Sequence, residues 1–557
     1  MNVVKRECKF VTHLEAKENI RPDIHLVKEY ITYEDGSVVP NFNVIKNFKR
    51  DFYITKPHFQ KYTQKKECED LERLNKYQAT ESELGKLACN RLGGFRYVGK
   101  SSLWDAKKSP YLYGVEIDSR TILKHLYSEK YPNNFTPYSV AVLDIETNVD
   151  TEEIILISVA CSTKVYVGIL ESMLQGRRNV IEQLNYLYSK HIPETDISKN
   201  ITPEFIICKT EPELIKTIMA KTHEIQPDFL AIWNMNYDIP YILSRCEKFK
   251  IDPLDIFSDP SLPKEYREFE YKQSQASRTT ASGVVKIFSP WEQWHVVKSC
   301  SSYYIVDAMC AYYYVRVGSK QVPGGYSLNN ILETELGSKY KKLKFDHLNE
   351  THSEGIDWHR YMVNNYPLEY TIYNIWDVIS VLELDNKTKD LAFSLPALSG
   401  DSSFDVFRSG PKKIIDALHF FYLERGKVLG IKRDFEDKEE DPYLLGLDGW
   451  IQLMKASRIK DLGMQSIEED ETLKTAIRGH LFDLDAVSAY PNSINAANIS
   501  RETTSKEIIE IEGIEREDYL NQNINAIFGR VNSVEYCCTM FNFPTYEEIK
   551  KKVDKEG

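Results

Sequence analysis

Apolar positions crowd most densely between Val140 and Trp233. The segment Val140-Ala-Val-Leu-Asp-Ile-Glu146 opens with four apolar residues, the mark of a buried strand. Strand-like runs follow at 154–160, 164–170 and 205–208, and they alternate with helical stretches such as 211–223. Phe229 to Trp233 and Tyr303 to Asp307 read as further strands. This alternation predicts an α/β (α+β multidomain) chain with a mixed sheet flanked by helices. Upstream, residues 1–137 mix short strand-like runs, such as Asp51-Phe-Tyr-Ile-Thr, with a charged stretch around Lys65 to Lys76 predicted as helix. The turn-rich Tyr131-Pro-Asn-Asn-Phe-Thr-Pro137 reads as a linker. Downstream, helices are expected from Tyr366 to about Leu391 and from Lys412 to Arg425, and a strand from near His480. The predicted domains are 1–137, 138–390, a connecting helical segment 391–440, and 441–557.

A length of 557 residues agrees with that division, since two to four domains are expected. The chain is 42% hydrophobic and 28% charged, ordinary for a soluble enzyme. Its 35 Tyr are many; most fill cores, but a flat ring with a polar tip also suits base stacking. A net charge of −12 argues against a generally basic, phosphate-binding surface and leaves room for a local groove. Basic stretches at 46–50, 61–66, 339–344 and 412–413 read first as solvated faces. The ten Cys form no Cys-x-x-Cys pair and no Cys/His cluster at zinc spacing, so free thiols in a reducing cytosol are expected. No apolar leader or long apolar run is present, which predicts neither secretion nor a membrane span.

Three acidic motifs occur in order. Asp144-Ile-Glu146 ends the first apolar strand, and residues two apart on a strand share a face. Trp233-Asn234-Met-Asn-Tyr237-Asp238-Ile-Pro240 follows the run from Phe229. In Tyr373-Asn-Ile-Trp-Asp377 the Tyr and Asp are four apart on a predicted helix and share its face. Four carboxylates and a Tyr are the equipment of two-metal phosphodiester hydrolysis. Hard oxygen ligands suit Mg²⁺ or Mn²⁺, and two ions roughly 4 Å apart clamp the attacking and leaving oxygens. Each motif alone is weak; their order and placement on two strands and a helix are specific.

The set resembles the Exo I, Exo II and Exo III motifs of DnaQ-like (RNase H-like) proofreading exonucleases, and Trp-Asn-x-x-Tyr-Asp-Ile-Pro-Tyr resembles the family B polymerase version. The resemblance implies that Asp144, Glu146, Asp238 and Asp377 bind two metal ions and act in catalysis with Tyr373. It also implies that Asn234 and Tyr237 contact substrate. Asp307 sits where that family has an acidic residue and reads as structural; Ser327, before Leu328, reads as a helix N-cap.

Near the other end, Leu481-Phe-Asp-Leu-Asp485-Ala-Val-Ser488-Ala-Tyr490-Pro491 resembles motif A of family B DNA polymerases, Asp-x-x-Ser-Leu-Tyr-Pro-Ser. By that resemblance Asp485 is a metal-binding catalytic carboxylate. Ser488 cradles the triphosphate of a dNTP, and Tyr490 packs under its sugar. Ala489 and Asn492 depart from the usual Leu and Ser, which puts nucleotide selectivity in doubt. Asp483 shares a strand face with Asp485 and reads as a solvated or ion-paired carboxylate. Asn498-Ile-Ser-Arg-Glu-Thr503 resembles the Asn-Ile-Ser-Pro-Glu-Thr of tailed-phage enzymes, and residues 1–137 resemble the N-terminal domain of cyanophage and myovirus polymerases. Ser409-Gly-Pro-Lys-Lys413 and Gly446-Leu-Asp-Gly-Trp450 fall where the family helps shift primer between sites. Neither the fingers motif Lys-x-x-x-Asn-Ser-x-Tyr-Gly nor an Asp-Thr-Asp hairpin is found.

The expectation is the N-terminal portion of a phage family B DNA polymerase with an RNase H-like exonuclease domain and a partial palm. Its partners would be single-stranded DNA, primer–template DNA and dNTP. A second polypeptide would complete synthesis and carry the sliding-clamp contact, and the location would be the cytoplasm of an infected bacterium. The alternatives are a free-standing 3′–5′ exonuclease with a relic palm, and a nucleic-acid-binding regulator.

Overall fold

In the computed structural model the described residues are 2–430, apart from 95, 280–284, 317–321, 349–354, 396–401 and 409, together with 468–470 and 475–477. The chain divides into two units, Met1–Arg433 and Asp434–Gly557. Of the second, the described part is an antiparallel pairing of Glu468–Asp470 with Thr475–Ile477. Asp483, Asp485, Ser488, Tyr490 and the segments at 446–450 and 498–503 lie outside the described residues, as does Ser409.

The first unit begins with an antiparallel sheet of Val3–Leu14 (β1), Ile24–Tyr33 (β2) and Val38–Lys46 (β3). A second small sheet joins Arg50–Thr55 (β4), Leu74–Ala79 (β5) and Leu112–Tyr113 (β6), with β4 in the middle. Helices Glu81–Leu92 (α1) and Ser119–Lys130 (α2) belong to the same region. The helix expected around Lys65 to Lys76 is absent. That stretch holds a short strand, Cys68–Asp70, a single 3₁₀ turn, Leu71–Arg73, and the start of β5. From Asn75 to Ala79 the side chains alternate between less and more exposed, and β5 takes its hydrogen bonds from β4, so period two prevails over helix-forming charge. Residues 131–137 are irregular, in keeping with their turn-rich sequence.

The mixed sheet predicted from the apolar runs is present. Its strands are Val140–Thr147 (β7), Ile154–Ala160 (β8), Lys164–Leu170 (β9), Thr202–Cys208 (β10), Phe229–Ile232 (β11) and Tyr304–Asp307 (β12). Their spatial order is β10-β9-β8-β7-β11-β12. β7, β8 and β9 form an antiparallel meander, whereas β11 runs parallel to β7 and β12 parallel to β11. β8 is buried along its whole length, as a strand covered on both faces must be.

Helices Val180–His191 (α3) and Glu211–Ile225 (α4) belong to the crossovers, and Met235–Phe249 (α5) and Ala308–Arg316 (α6) leave the carboxyl ends of β11 and β12. α4 lies so close over β9 that a Cβ on Gly168 would stand 2.6 Å from Ile218 Cγ1, so only glycine fits there. Leu328–Leu336 (α7) starts at Ser327, whose hydroxyl accepts the Asn330 N–H and caps the helix as expected. Gly355–Asn365 (α8) and Pro367–Thr388 (α9) follow. α9 is buried nearly all round from Pro367 to Asp385, with Pro at its first position, where a missing N–H does no harm. It lies across β7 and β8 and carries the third acidic motif to the sheet. Gly410–Leu423 (α10) ends close to the expected Arg425.

Candidate active site

β7 is one of two strands where the sheet changes sense, the other being β9: its neighbour on one side is antiparallel and on the other parallel. The carboxyl ends of β7, β11 and β12 therefore point the same way, and in open α/β sheets such ends border the ligand crevice. Asp144 and Glu146 sit at the end of β7, with Ser158 of β8 directly opposite Asp144. Asn234, after β11, takes a left-handed conformation (φ 69°) that turns the chain straight into α5 and places Tyr237 and Asp238 in its first turn.

α9 meets this edge with one face. Tyr370, Tyr373, Asn374 and Asp377 follow i, i+3, i+4, i+7 spacing, which lines up one stripe on a helix. Carboxylate oxygens of Asp144, Glu146 and Asp377 lie within 4.8 Å of one another. Asp238 lines the same cleft, but it accepts the Ile145 N–H at 3.2 Å and stands outside that closest group. The cleft measures about 320 Å³, and its walls include Thr147, Trp233, Asn234, Tyr237, His359 and Tyr373. Of the residues expected to form the exonuclease site, all seven line this cleft: Asp144, Glu146, Asn234, Tyr237, Asp238, Tyr373 and Asp377.

The carboxylates are held by neighbours that the motifs do not reveal. Asn374 Nδ2 donates to Asp144 Oδ2 at 2.6 Å, and its own Oδ1 accepts the Ser158 hydroxyl. The Tyr370 hydroxyl donates to Glu146 Oε2, while His359 Nδ1 lies 2.7 Å from the same hydroxyl. Burial, then the charge of Lys342, lowers the His359 pKa to about 4, so the ring beside Tyr370 is neutral near pH 7. Asp307, buried, accepts the Met235 N–H at 2.7 Å and the Cys310 N–H at 2.9 Å. It ties the first turns of α5 and α6 together, the structural role expected of it.

The largest departure from expectation is Lys342. Its basic stretch reads as a solvated face, yet its ammonium points into the acidic cleft. It donates to Asp377 Oδ2 at 2.6 Å and to the Tyr373 hydroxyl at 3.0 Å. The segment is pinned there because Trp376 Nε1 donates to Lys341 O at 2.9 Å and the Lys342 N–H donates to Asn329 Oδ1 at 3.1 Å. A lysine far from the acidic motifs in sequence gives no local signal of this. The polar stripe on α9 does give one: Tyr370 and Asn374 occupy the Tyr373 and Asp377 face of an otherwise apolar helix.

One ammonium does not balance this much carboxylate. Burial, then the charge of Asp377, pushes the Asp144 pKa up to about 7. Burial and the Asp144 charge raise Glu146 and Asp238 well above the usual range, and burial raises Asp377 against the pull of Lys342. Asp377 Oδ1 is buried without a hydrogen-bond partner among the described residues. An all-oxygen donor set, mutually repelling, with one orphaned carboxylate oxygen fits a hard divalent cation. These residues therefore suit Mg²⁺ or Mn²⁺.

Residues 107–287 match the family model described as DNA polymerase family B, exonuclease domain. The match takes in Asp144, Glu146, Asn234, Tyr237 and Asp238 and stops before Lys342 and α9. Among curated proteins, no relative matches the chain. Among the described residues, no helix is long and apolar enough to cross a membrane. The mixed sheet with its acidic carboxyl edge is an exonuclease domain of the DnaQ-like, RNase H-like type, similar in residues 107–287 to that of family B DNA polymerases.

Proposed function

We propose that this chain is a divalent-metal-dependent 3′–5′ exonuclease that removes nucleotides from frayed primer ends during DNA replication. The observation that carries this reading is the meeting of Asp144, Glu146 and Asp377 within 4.8 Å at the sheet edge, with Asp238 in the same cleft. These four carboxylates would hold two Mg²⁺ or Mn²⁺ ions. When bound, such ions supply a nucleophilic water at neutral pH and stabilise charge on the phosphate.

The chain's own groups do the rest. Asn374 holds the Asp144 carboxylate in one orientation, and Tyr370 with His359 holds that of Glu146. Lys342 presents a fixed positive charge where the scissile phosphate would lie. The Tyr373 phenol keeps its proton, because burial and Asp377 raise its pKa far above neutrality, and so can donate to a phosphate oxygen or water. Tyr237 is 47% exposed at the cleft mouth, with its hydroxyl 3.1 Å from Thr147 Oγ1. Its ring offers a platform for an unpaired base. Asn234 turns the chain beside it. Mismatched ends reach such a cleft most readily because they unpair at least cost.

The finer reading is that the chain is part of a family B DNA polymerase of a tailed bacteriophage, working in the cytoplasm of its host. Asp485, Ser488 and Tyr490 would then serve dNTP binding and nucleotidyl transfer. A second polypeptide would supply the fingers helix, the Asp-Thr-Asp carboxylate and the contact with a sliding clamp. The domain limits proposed on sequence, 1–137, 138–390, 391–440 and 441–557, belong to this reading.

One assay tests both levels: the purified chain on primer–template DNA with Mg²⁺, with and without dNTPs. The expected result is shortening of the primer from its 3′ end with release of nucleoside monophosphates. The variant carrying Asp144→Ala and Glu146→Ala should lose more than roughly a hundredfold in rate, beyond the effect of changing outer-shell residues. Equal shortening by that variant would remove the assignment. Primer extension by this chain alone would refute the need for a second polypeptide.

A further inference from the structure

A second cluster of metal-ligating side chains lies on the N-terminal sheet and shares no residue with the acidic cleft. β1 and β2 pair so that His13 stands directly opposite His25. Directly opposed residues project from the same face of a sheet. Asp23 lies two residues before His25 and joins them. His13 Nε2 is 3.0 Å from Asp23 Oδ2, His25 Nδ1 is 3.6 Å from Asp23 Oδ1, and the two imidazole centroids are 4.8 Å apart. One ligand atom from each residue falls within 4.8 Å of the others. A tetrahedral ion with bonds of ~2.0–2.1 Å spaces its ligand atoms roughly 3.3 Å apart, so small side-chain rotations suffice.

His13 Nε2 and Asp23 Oδ2 are hydrogen-bonded to each other, and the other hydrogen bonds support the group from behind. Asp23 Oδ2 accepts the Ser82 N–H at 2.9 Å and the Ser82 hydroxyl at 2.5 Å. His25 Nε2 meets Ser119 Oγ at 2.8 Å. Asp23 Oδ1 and His25 Nδ1 have no hydrogen-bond partner among the described residues, although both side chains are buried, 1% and 0% exposed. A buried carboxylate oxygen and a buried ring nitrogen, 3.6 Å apart and neither within a hydrogen bond, are two unused lone-pair donors that a cation between them would satisfy. His13, 13% exposed, leaves a path from solvent.

We propose that His13, Asp23 and His25 bind one divalent d-block cation, with Zn²⁺ as the type. Two imidazole nitrogens and a carboxylate select such an ion over Mg²⁺ or Ca²⁺, which prefer all-oxygen sets. Ser82 and Ser119 are the supporting shell that orients the ligands. Because Ser82 lies in the first turn of α1 and Ser119 begins α2, the ion ties the β1–β2 hairpin to two helices, a structural role. The spacing His-x₉-Asp-x-His is not a recognisable zinc motif; only the cross-strand register assembles it.

The test is a CoCl₂ titration of the full-length, metal-stripped chain carrying Asp144→Asn and Glu146→Gln, so that the exonuclease carboxylates do not compete. Visible d–d absorption should saturate at one Co²⁺ per chain, be displaced by ZnCl₂ and persist in excess MgCl₂. Adding His13→Asn or His25→Gln should weaken binding by more than about tenfold. Absence of a saturable band overturns the proposal, as does an unchanged band in His13→Asn. That variant alters the most exposed ligand, and its far-UV circular dichroism is read alongside to show that the chain is folded.

Discussion

At the scale of single residues, the site depends on groups that hold the carboxylates as much as on the carboxylates. Asn374→Ala would free Asp144 Oδ2 from its 2.6 Å hydrogen bond and leave the Ser158 hydroxyl without its acceptor. Nuclease rate should fall roughly 10–100-fold, the usual effect of losing an outer-shell partner, while Asn374→Asp should not restore it. Initial-rate assays at limiting Mg²⁺ measure this. The Asp144 carboxyl makes a separate prediction. Its pKa rises from 3.8 to about 7 in the fold, through burial and then Asp377. A raised carboxyl binds its proton more tightly folded than unfolded. Its favourable contribution is therefore complete below the unfolded value and is lost as pH climbs through the folded one. In EDTA, the Tm of Asp144→Asn relative to wild type should rise as pH increases from 3.8 toward 7, and saturating Mg²⁺ should abolish the trend. Thermal melts across that window decide it. Asp144, Glu146, Asp238 and Asp377 were legible in the sequence only as a set, through the order of their motifs and the spacing within each on predicted strands and a helix. Lys342 was not, because it reaches the cleft through loop packing against Trp376 and Asn329.

Elements are joined by a few buried polar ties. Glu211, at the start of α4, receives Arg245 of α5 through two hydrogen bonds of 2.6 and 2.5 Å and also accepts the Ile154 N–H of β8 at 3.0 Å. Both side chains are nearly fully buried. Glu211→Ala would leave a buried guanidinium and an unpaired strand N–H, so a loss of about 3–5 kcal/mol is expected. Urea denaturation of wild type and variant measures it; Glu211→Ala with Arg245→Met should recover part of the loss, since both charges are then gone. At this scale the apolar runs predicted β7, β8, β9 and β11 well, because strands buried on both faces read as unbroken apolar stretches. The failure at Lys65 to Lys76 has the opposite cause. Its polar residues satisfy either period, and only pairing with β4 selects the strand.

Across the whole of the first unit, the N-terminal sheet is built into the nuclease core. Phe10 of β1 packs against Tyr304 of β12 and Phe229 of β11, with ring centroids 4.4 and 5.5 Å away, and against Tyr138 at 6.2 Å. Lys28 of β2 donates to Gln226 O at 2.7 Å, and the Tyr30 hydroxyl donates to Asp228 at 3.2 Å. Phe10→Ala should cost about 3–5 kcal/mol, as large-to-small core changes do, and should lower nuclease activity at 37 °C without touching the cleft. Comparing the thermal denaturation of the variant with its activity at a lower temperature separates stability from chemistry. This interlock was not visible in sequence, where residues 1–137 read as a separate domain. Lys9, Lys28 and Glu29 are buried in it, and charged residues in strands disguise a core.

By itself the sequence determined the central strands, the helical carriage of Tyr373 and Asp377, and the donor type of the cleft. Each follows from local rules: apolar runs make buried strands, fixed periods set faces, and carboxylates choose hard cations. The tertiary structure alone decided which side chains restrain those carboxylates, that Lys342 lies among them, and that His13, Asp23 and His25 meet across a strand pair. Such relations join residues far apart in the chain. They depend on strand register and loop packing, which a single local pattern does not encode.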